Sequence, residues 1–172
     1  MFPNKYILKI IATFFIVTLI VSCSDNDVVR AESNTAKAQP ISLDVYKTPT
    51  CGCCKKWISH IDENGFQSQI HDRNDISSIK EQKGIKPRYR SCHTAISKDG
   101  YTFEGHVPAK FIKQFLSQKH DKTVIGLSVP GMPLGSPGME VGDKFNPYQV
   151  LLLKSDGSSE VYSTVQSYEQ QF

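Results

Sequence analysis

An α/β domain that begins with a strand-helix-strand unit is predicted by three observations. Ile41, Leu43 and Val45 alternate with Ser42 and Asp44, the period of a half-buried strand. Trp57, Ile58 and Ile61 then share one helical face, the stripe of a helix packed on a core. Gly65 is placed as a helix stop, and the run from Phe66 to His71 reads as a second strand.

Ahead of this unit, residues 1–22 carry Lys5 and Lys9 but no acid, and 10–21 form an uncharged, mostly apolar run. That run is too short to span a bilayer as a helix and has the length of a signal-peptide core. It ends Ile20-Val21-Ser22-Cys23, which resembles a bacterial lipobox, so Cys23 is expected to carry a lipid and to begin the mature chain. Ser24 follows where an aspartate would retain a lipoprotein at the inner membrane, so the outer membrane is expected, with the domain facing the periplasm. Residues 23–40 are small and polar without an apolar period, a flexible linker. The domain proper is assigned to 41–165, and 166–172 is read as a polar tail with frayed ends.

At 172 residues the chain has room for one domain with a sizeable core. The formal charge of +3 falls almost to zero once the leader lysines are set aside, which leaves nucleic-acid binding without electrostatic support. Export places the remaining cysteines in an oxidising compartment, where thiols pair or are held by metal.

After the first strand-helix-strand unit, whose helix is assigned to 53–64, Asn74 or Asp75 can cap a short helix that carries Ile76 and Ile79 and ends at Gly84. Two strands, 94–97 and 101–106, flank Asp99-Gly100, a hairpin signal. Pro108 suits a first helical position, and Phe111, Ile112, Phe115 and Leu116 supply the apolar stripe of a third helix. The order β-α-β-α-β-β-α matches a thioredoxin-like sheet with flanking helices. The stretch 126–140, dense in glycine and proline, reads as a loop that can be neither a regular helix nor a central strand. Residues 149–154 and 160–165, joined through Asp156-Gly157, make a C-terminal β-hairpin.

The chemistry is concentrated in Cys51-Gly52-Cys53-Cys54, at the C-terminal end of the first strand and the start of the first helix. Thiols at a helix N-terminus are activated by its unpaired N–H groups, and Lys55 and Lys56 would favour their thiolates further. Cys51 and Cys54 have the spacing of a redox pair, but Cys53 between them competes as a disulfide partner and adds a ligand for a soft metal. In a thioredoxin-like layout Cys92 enters the third strand beside that helix, which makes a four-sulfur site plausible. Met132 and Met139 in the Gly/Pro loop offer thioethers suited to Cu(I). His93 and His106 are further candidates, the first adjoining Cys92 and the second ending the hairpin. Zinc suits four thiolates, yet the cysteines are too crowded for paired zinc knuckles and the methionines have no use for it. No serine, histidine and carboxylate set stands out for hydrolysis, and no Gly-rich phosphate loop follows a strand.

Four segments, Tyr46-Lys47-Thr48-Pro49-Thr50-Cys51-Gly52-Cys53-Cys54, Ser91-Cys92-His93-Thr94-Ala95, Glu104-Gly105-His106-Val107-Pro108-Ala109 and 131–139, together resemble the CopG-like family of exported copper-resistance proteins. These are distinct from the ribbon-helix-helix repressors of the same name. The resemblance, which runs from about 41 to 165, implies a thioredoxin-like fold, a periplasmic setting and copper binding through Cys51, Cys53, Cys54 and Cys92. It extends to His106, Met132 and Met139 as matching motif positions. The expected function is capture of Cu(I), more than one ion included, with reduction of Cu(II) by thiol electrons. Expected partners are copper ions, periplasmic copper-handling proteins and the membrane, reached through the lipid anchor. The rival readings are a thiol-disulfide oxidoreductase using Cys51 and Cys54, and a structural module closed by two disulfides.

Overall fold

The computed structural model describes residues 39–172; the expected signal peptide, the lipidation site Cys23 and nearly all of the linker lie outside the described residues. β1 (Ile41–Lys47), α1 (Gly52–Glu63) and β2 (Phe66–Asp72) form the expected opening unit. α2 (Ser77–Gln82) follows, then a single 3-10 turn at Pro87–Tyr89, the hairpin strands β3 (His93–Ser97) and β4 (Thr102–Gly105), and α3 (Ala109–Leu116). β5 (Val124–Val129), β6 (Tyr148–Lys154) and β7 (Ser159–Val165) complete one seven-stranded sheet of order β2-β1-β3-β4-β5-β6-β7. β1 and β2 are parallel across α1, β4 and β5 are parallel across α3, and the other neighbouring pairs are antiparallel.

Alternation along the strands sorts the core into two faces. Trp57, Ile58 and Ile61 of α1 and Phe111, Ile112 and Phe115 of α3 share one cluster with Leu43, Val45, Phe103, Leu127 and Val150. Ile85, Tyr89 and Leu153 form a second cluster, with Ile125 and Leu151 packed against it. Neighbouring residues of β6 thus enter different clusters, the period of two that a sheet covered on both faces requires.

Three expectations are corrected. The stretch 126–140 opens inside a regular central strand, because Gly126 to Val129 belong to β5. Gly126 is there because the register shifts between it and Val124, its φ is 145°, and a Cβ would stand 1.8 Å from the Thr102 carbonyl oxygen. A glycine read as a loop marker is therefore a strand irregularity where two backbones meet. Pro108 precedes α3 as its N-cap, with ψ of 143°, and Ala109 is the first helical residue. The tail is not frayed: residues Tyr168–Gln171 form a 3-10 turn. Gln171, 1% exposed, donates from Nε2 to the Gly135 carbonyl at 2.9 Å and accepts from the Tyr148 hydroxyl at 2.6 Å. A smaller difference is at α2, where Asp75 accepts from the Ser77 N–H at 2.8 Å while Ile76 occupies the cap position.

Candidate metal centre

The end of β1 delivers the chain into Thr48-Pro49-Thr50 and then directly into α1, with Cys51 as its N-cap. The Cys51 sulfur accepts from the Cys54 N–H at 3.3 Å, so the first turn of the helix is itself organised around a sulfur. Cys51 and Cys54 are joined as a disulfide, their Cα atoms 5.4 Å apart, and Cys53 and Cys92 are free thiols among the described residues. Cys53 Sγ stands 3.5 Å from Cys51 Sγ and 3.8 Å from Cys92 Sγ. All four sulfur atoms lie within 4.8 Å of one another, so the cluster read from sequence is assembled.

Cys92 is also the hinge to a second group. Its sulfur lies 3.1 Å from His106 Nε2 and 3.4 Å from His93 Nδ1, and these three side chains again place their ligand atoms within 4.8 Å. His106 Nδ1 is 2.8 Å from the Pro137 carbonyl. A carbonyl can only accept, so Nδ1 carries the proton and Nε2 presents its lone pair to the sulfur. A backbone carbonyl behind an imidazole in this way is the usual orienting device for a metal-binding histidine. His93 is fully buried between Trp57 and His106, with ring centroids 4.3 and 5.0 Å away, and its Nε2 has no hydrogen-bond partner among the described residues.

Burial sets the electrostatics. It pushes the Cys92 thiol upward, and the adjacent Cys53 thiol adds to the effect. His106 and His93 are lowered by burial, His93 well below the ordinary histidine value with further lowering from His106 and Lys80. Cys92 therefore stays protonated at neutral pH and gives up its proton only to a metal or a stronger base. Lys55 and Lys56, expected to favour thiolates, are exposed on the first turn of α1.

The Gly/Pro loop is folded onto the helix start. Gly138, at φ 87°, lies so close that a Cβ would meet the Cys53 carbonyl at 2.6 Å and the Trp57 nitrogen at 2.7 Å; no other residue fits this contact. Trp57 Nε1 donates to the Val107 carbonyl at 2.9 Å, and Ser91 donates from its hydroxyl to the Gly131 carbonyl. Met139, next to Gly138, is half-buried, whereas Met132, next to Gly131, is 53% exposed. The loop thus approaches from both ends, with Met139 on the segment that touches α1 and Met132 facing outward.

Two elements of the site were not anticipated. Glu104 on β4, fully buried, accepts from Lys80 Nζ at 2.5 Å and from the Ser91 N–H at 2.6 Å on one oxygen, and from the Thr94 hydroxyl at 2.6 Å on the other. Lys80 comes from α2 and also donates to Thr94 at 3.0 Å. Burial lowers Lys80 and raises Glu104, and the charge of each opposes the shift of the other. The pair thereby fixes the backbone just before Cys92. The second element is His60 on α1, whose Nε2 accepts from the Ala109 N–H at 3.1 Å and caps α3.

His60 carries a stability prediction. Its folded pKa is lowered chiefly by burial, against raising contributions from Glu140 and Glu63. The unfolded chain therefore binds the proton first, and stability is lost as pH falls below the unfolded value of about 6.5. Thermal midpoints of metal-free protein are expected to drop between about pH 7.5 and about pH 5.5, with a smaller drop in His60→Gln. An equal drop in the variant would remove His60 from the account.

Residues 89–139 match the family described as "Protein of unknown function, DUF411". No curated protein sequence matches the chain. Two solved structures, described as "Copper resistance protein copG", Form 1 and Form 2, are each 41% identical to it. Each alignment covers 73% of this chain and 98% of the other, with TM-scores of 0.67 and 0.66.

Proposed function

Because the chain belongs to the CopG-like family of copper-resistance proteins, we propose that it captures copper as Cu(I) on the thiolates of Cys51, Cys53, Cys54 and Cys92, with His106 as a further ligand. The observation that carries this reading is the convergence of four sulfur atoms within 4.8 Å beside an imidazole whose Nε2 lone pair is turned toward the Cys92 sulfur. Thiolates favour soft ions such as Cu(I) over hard cations, and sulfur bridges soft ions readily, so more than one ion is expected per chain. Met139 and Met132 are proposed as auxiliary thioether donors on the loop. Copper(II) can be reduced at the same place. Two Cu(II) ions each accept one electron from the Cys51 and Cys54 thiols, giving two Cu(I), one disulfide and two protons.

The surrounding organisation is proposed on the same footing. The order β2-β1-β3-β4, with the cysteines between β1 and α1, supports a thioredoxin-like core extended by the Gly/Pro/Met loop and the β6-β7 hairpin. A signal peptide ending at Ser22, lipidation of Cys23 and a position facing the periplasm, on the outer membrane, would put the cluster where copper enters. Copper-handling proteins there would be its exchange partners.

A second reading, thiol-disulfide oxidoreductase, is favoured by one observation, the closed Cys51–Cys54 pair. Cys53, 3.5 Å from Cys51 Sγ, weighs against it, since it would intercept the pair. Copper K-edge absorption on the reduced, Cu(I)-loaded chain tests the choice. A sulfur-dominated shell with copper neighbours is expected, and an oxygen- and nitrogen-only shell would leave the thiols to disulfide exchange.

A further inference from the structure

We propose that Gln171 is a positioning residue of the copper site, holding from outside the loop whose Pro137 carbonyl orients His106. The proposal rests on the copper reading above, with His106 as a ligand, and adds what that reading leaves out, namely what fixes the loop. His106 Nδ1 donates to the Pro137 carbonyl at 2.8 Å, so the direction of its Nε2 lone pair depends on where that carbonyl is held. Pro137 lies in a turn closed on itself. The Ser136 N–H and hydroxyl donate to the Pro133 carbonyl at 3.2 and 2.7 Å, the Met139 N–H to the Ser136 carbonyl at 2.7 Å, and the Gly135 N–H to the Met139 carbonyl at 3.0 Å. These bonds give the turn its shape; its place is set by contacts with the rest of the fold.

Gln171 supplies one such contact. Its Nε2 donates to the Gly135 carbonyl at 2.9 Å and to the Tyr168 carbonyl at 3.1 Å, and its Oε1 accepts from the Tyr148 hydroxyl at 2.6 Å. Both amide hydrogens and the oxygen are in use, and turning the amide over would set its oxygen against two carbonyls, so one orientation satisfies it. Gln171 is 1% exposed, so water does not replace a lost partner and each bond is costly to leave unmade. Tyr148 belongs to β6 and pairs with Val165 of β7, which fixes the far end of the amide to the sheet. The same 3-10 turn is tied to α3, where Lys110 Nζ donates to the Gln170 carbonyl at 3.1 Å and to the Phe172 main-chain oxygen at 2.9 Å. Lys110 follows His106 by four residues, and Gly135 precedes Pro137 by two. One turn therefore grips both segments that meet in the His106–Pro137 bond, and Gln171 acts on His106 through the Gly135 peptide without being a ligand.

Gln171→Met removes the amide at nearly constant length and adds no charge. Tyr148→Phe, which removes only the hydroxyl that fixes Oε1, is the second variant, and thermal midpoints confirm that each is folded. In the metal-free chain, imidazole nitrogen NMR shifts report the tautomer of His106. The unaltered chain should show the Nδ1–H form, Gln171→Met a mixture of both forms, and Tyr148→Phe a smaller change in the same direction. In the reduced chain, competition with a chromogenic Cu(I) chelator should show affinity lowered about tenfold in Gln171→Met, the low end of what removing a group behind a ligand costs. Placing Gln171→Met in a His106→Gln chain should cost little further affinity, because the two residues act in one path. A merely structural glutamine would lower the thermal midpoint and leave tautomer and affinity as they were. That result in Gln171→Met, or in Tyr148→Phe should Gln171→Met not fold, overturns the proposal, as do equal losses with and without His106. Failure of the unaltered chain to bind Cu(I) overturns the copper reading; the tautomer of His106, read without metal, then still decides whether Gln171 holds it.

Discussion

Cys92→Ser is expected to lower Cu(I) affinity more than any other single substitution of a ligand, by over about 100-fold, given that even groups one step removed from a metal contribute about 10- to 100-fold. Cys92 is the one sulfur that belongs both to the four-cysteine group and to the Cys92, His93, His106 group. A serine hydroxyl is a hard donor that stays protonated, so the variant loses a soft ligand and the bridge between the two groups. The backbone around it is fixed independently, through the Ser91 N–H on Glu104, which keeps the fold intact and makes the loss specific. Competition with a chromogenic Cu(I) chelator under anaerobic conditions reads the effect. By contrast Met132→Leu, at an exposed position, should change affinity far less. Affinity unchanged in Cys92→Ser would remove Cys92 from the site.

The largest effect on stability is expected at Lys80 and Glu104, whose side chains are 5% and 0% exposed. Removing one member of a buried pair leaves the other's charge without its partner, at a cost of about 3–5 kcal/mol. That is a large part of a stability of about 5–15 kcal/mol. Lys80→Met should therefore shift the urea midpoint strongly downward, and Glu104→Gln should do so as well. The double variant Lys80→Met with Glu104→Gln should recover much of the loss, because both charges are then gone while the introduced amide oxygen still accepts from the Ser91 N–H. Additive losses in the double variant would show that the two residues act separately.

Much of this arrangement was legible in the sequence because it follows local rules. The alternation of Ile41, Leu43 and Val45, the stripe of Trp57, Ile58 and Ile61, and the Asp99-Gly100 hairpin each appear where the elements lie. The crowding of Cys51, Cys53 and Cys54, with Cys92 expected opposite, corresponds to the observed cluster. What escaped depends on partners distant in the chain. β5 was hidden by Gly126, which is required by the Thr102 backbone and not by a turn. Gln171 looked like a solvated tail residue until its amide met Gly135 and Tyr148. Lys80 follows Ile76 by four residues, a spacing that puts it on the apolar face of α2. That signal would have pointed to a buried partner, but nothing local identified Glu104. The orientation of His106 was likewise invisible, since it is set by the Pro137 carbonyl across the loop.

The central claim, that clustered thiolates hold copper, is tested most directly by anaerobic Cu(I) titration of the fully reduced chain against a chromogenic chelator, with Cys53→Ser alongside. Uptake of one or more ions in competition with the chelator, reduced in the variant, is the expected result. Failure of the reduced chain to withdraw any Cu(I) from the chelator would contradict the claim and return Cys51 and Cys54 to disulfide exchange.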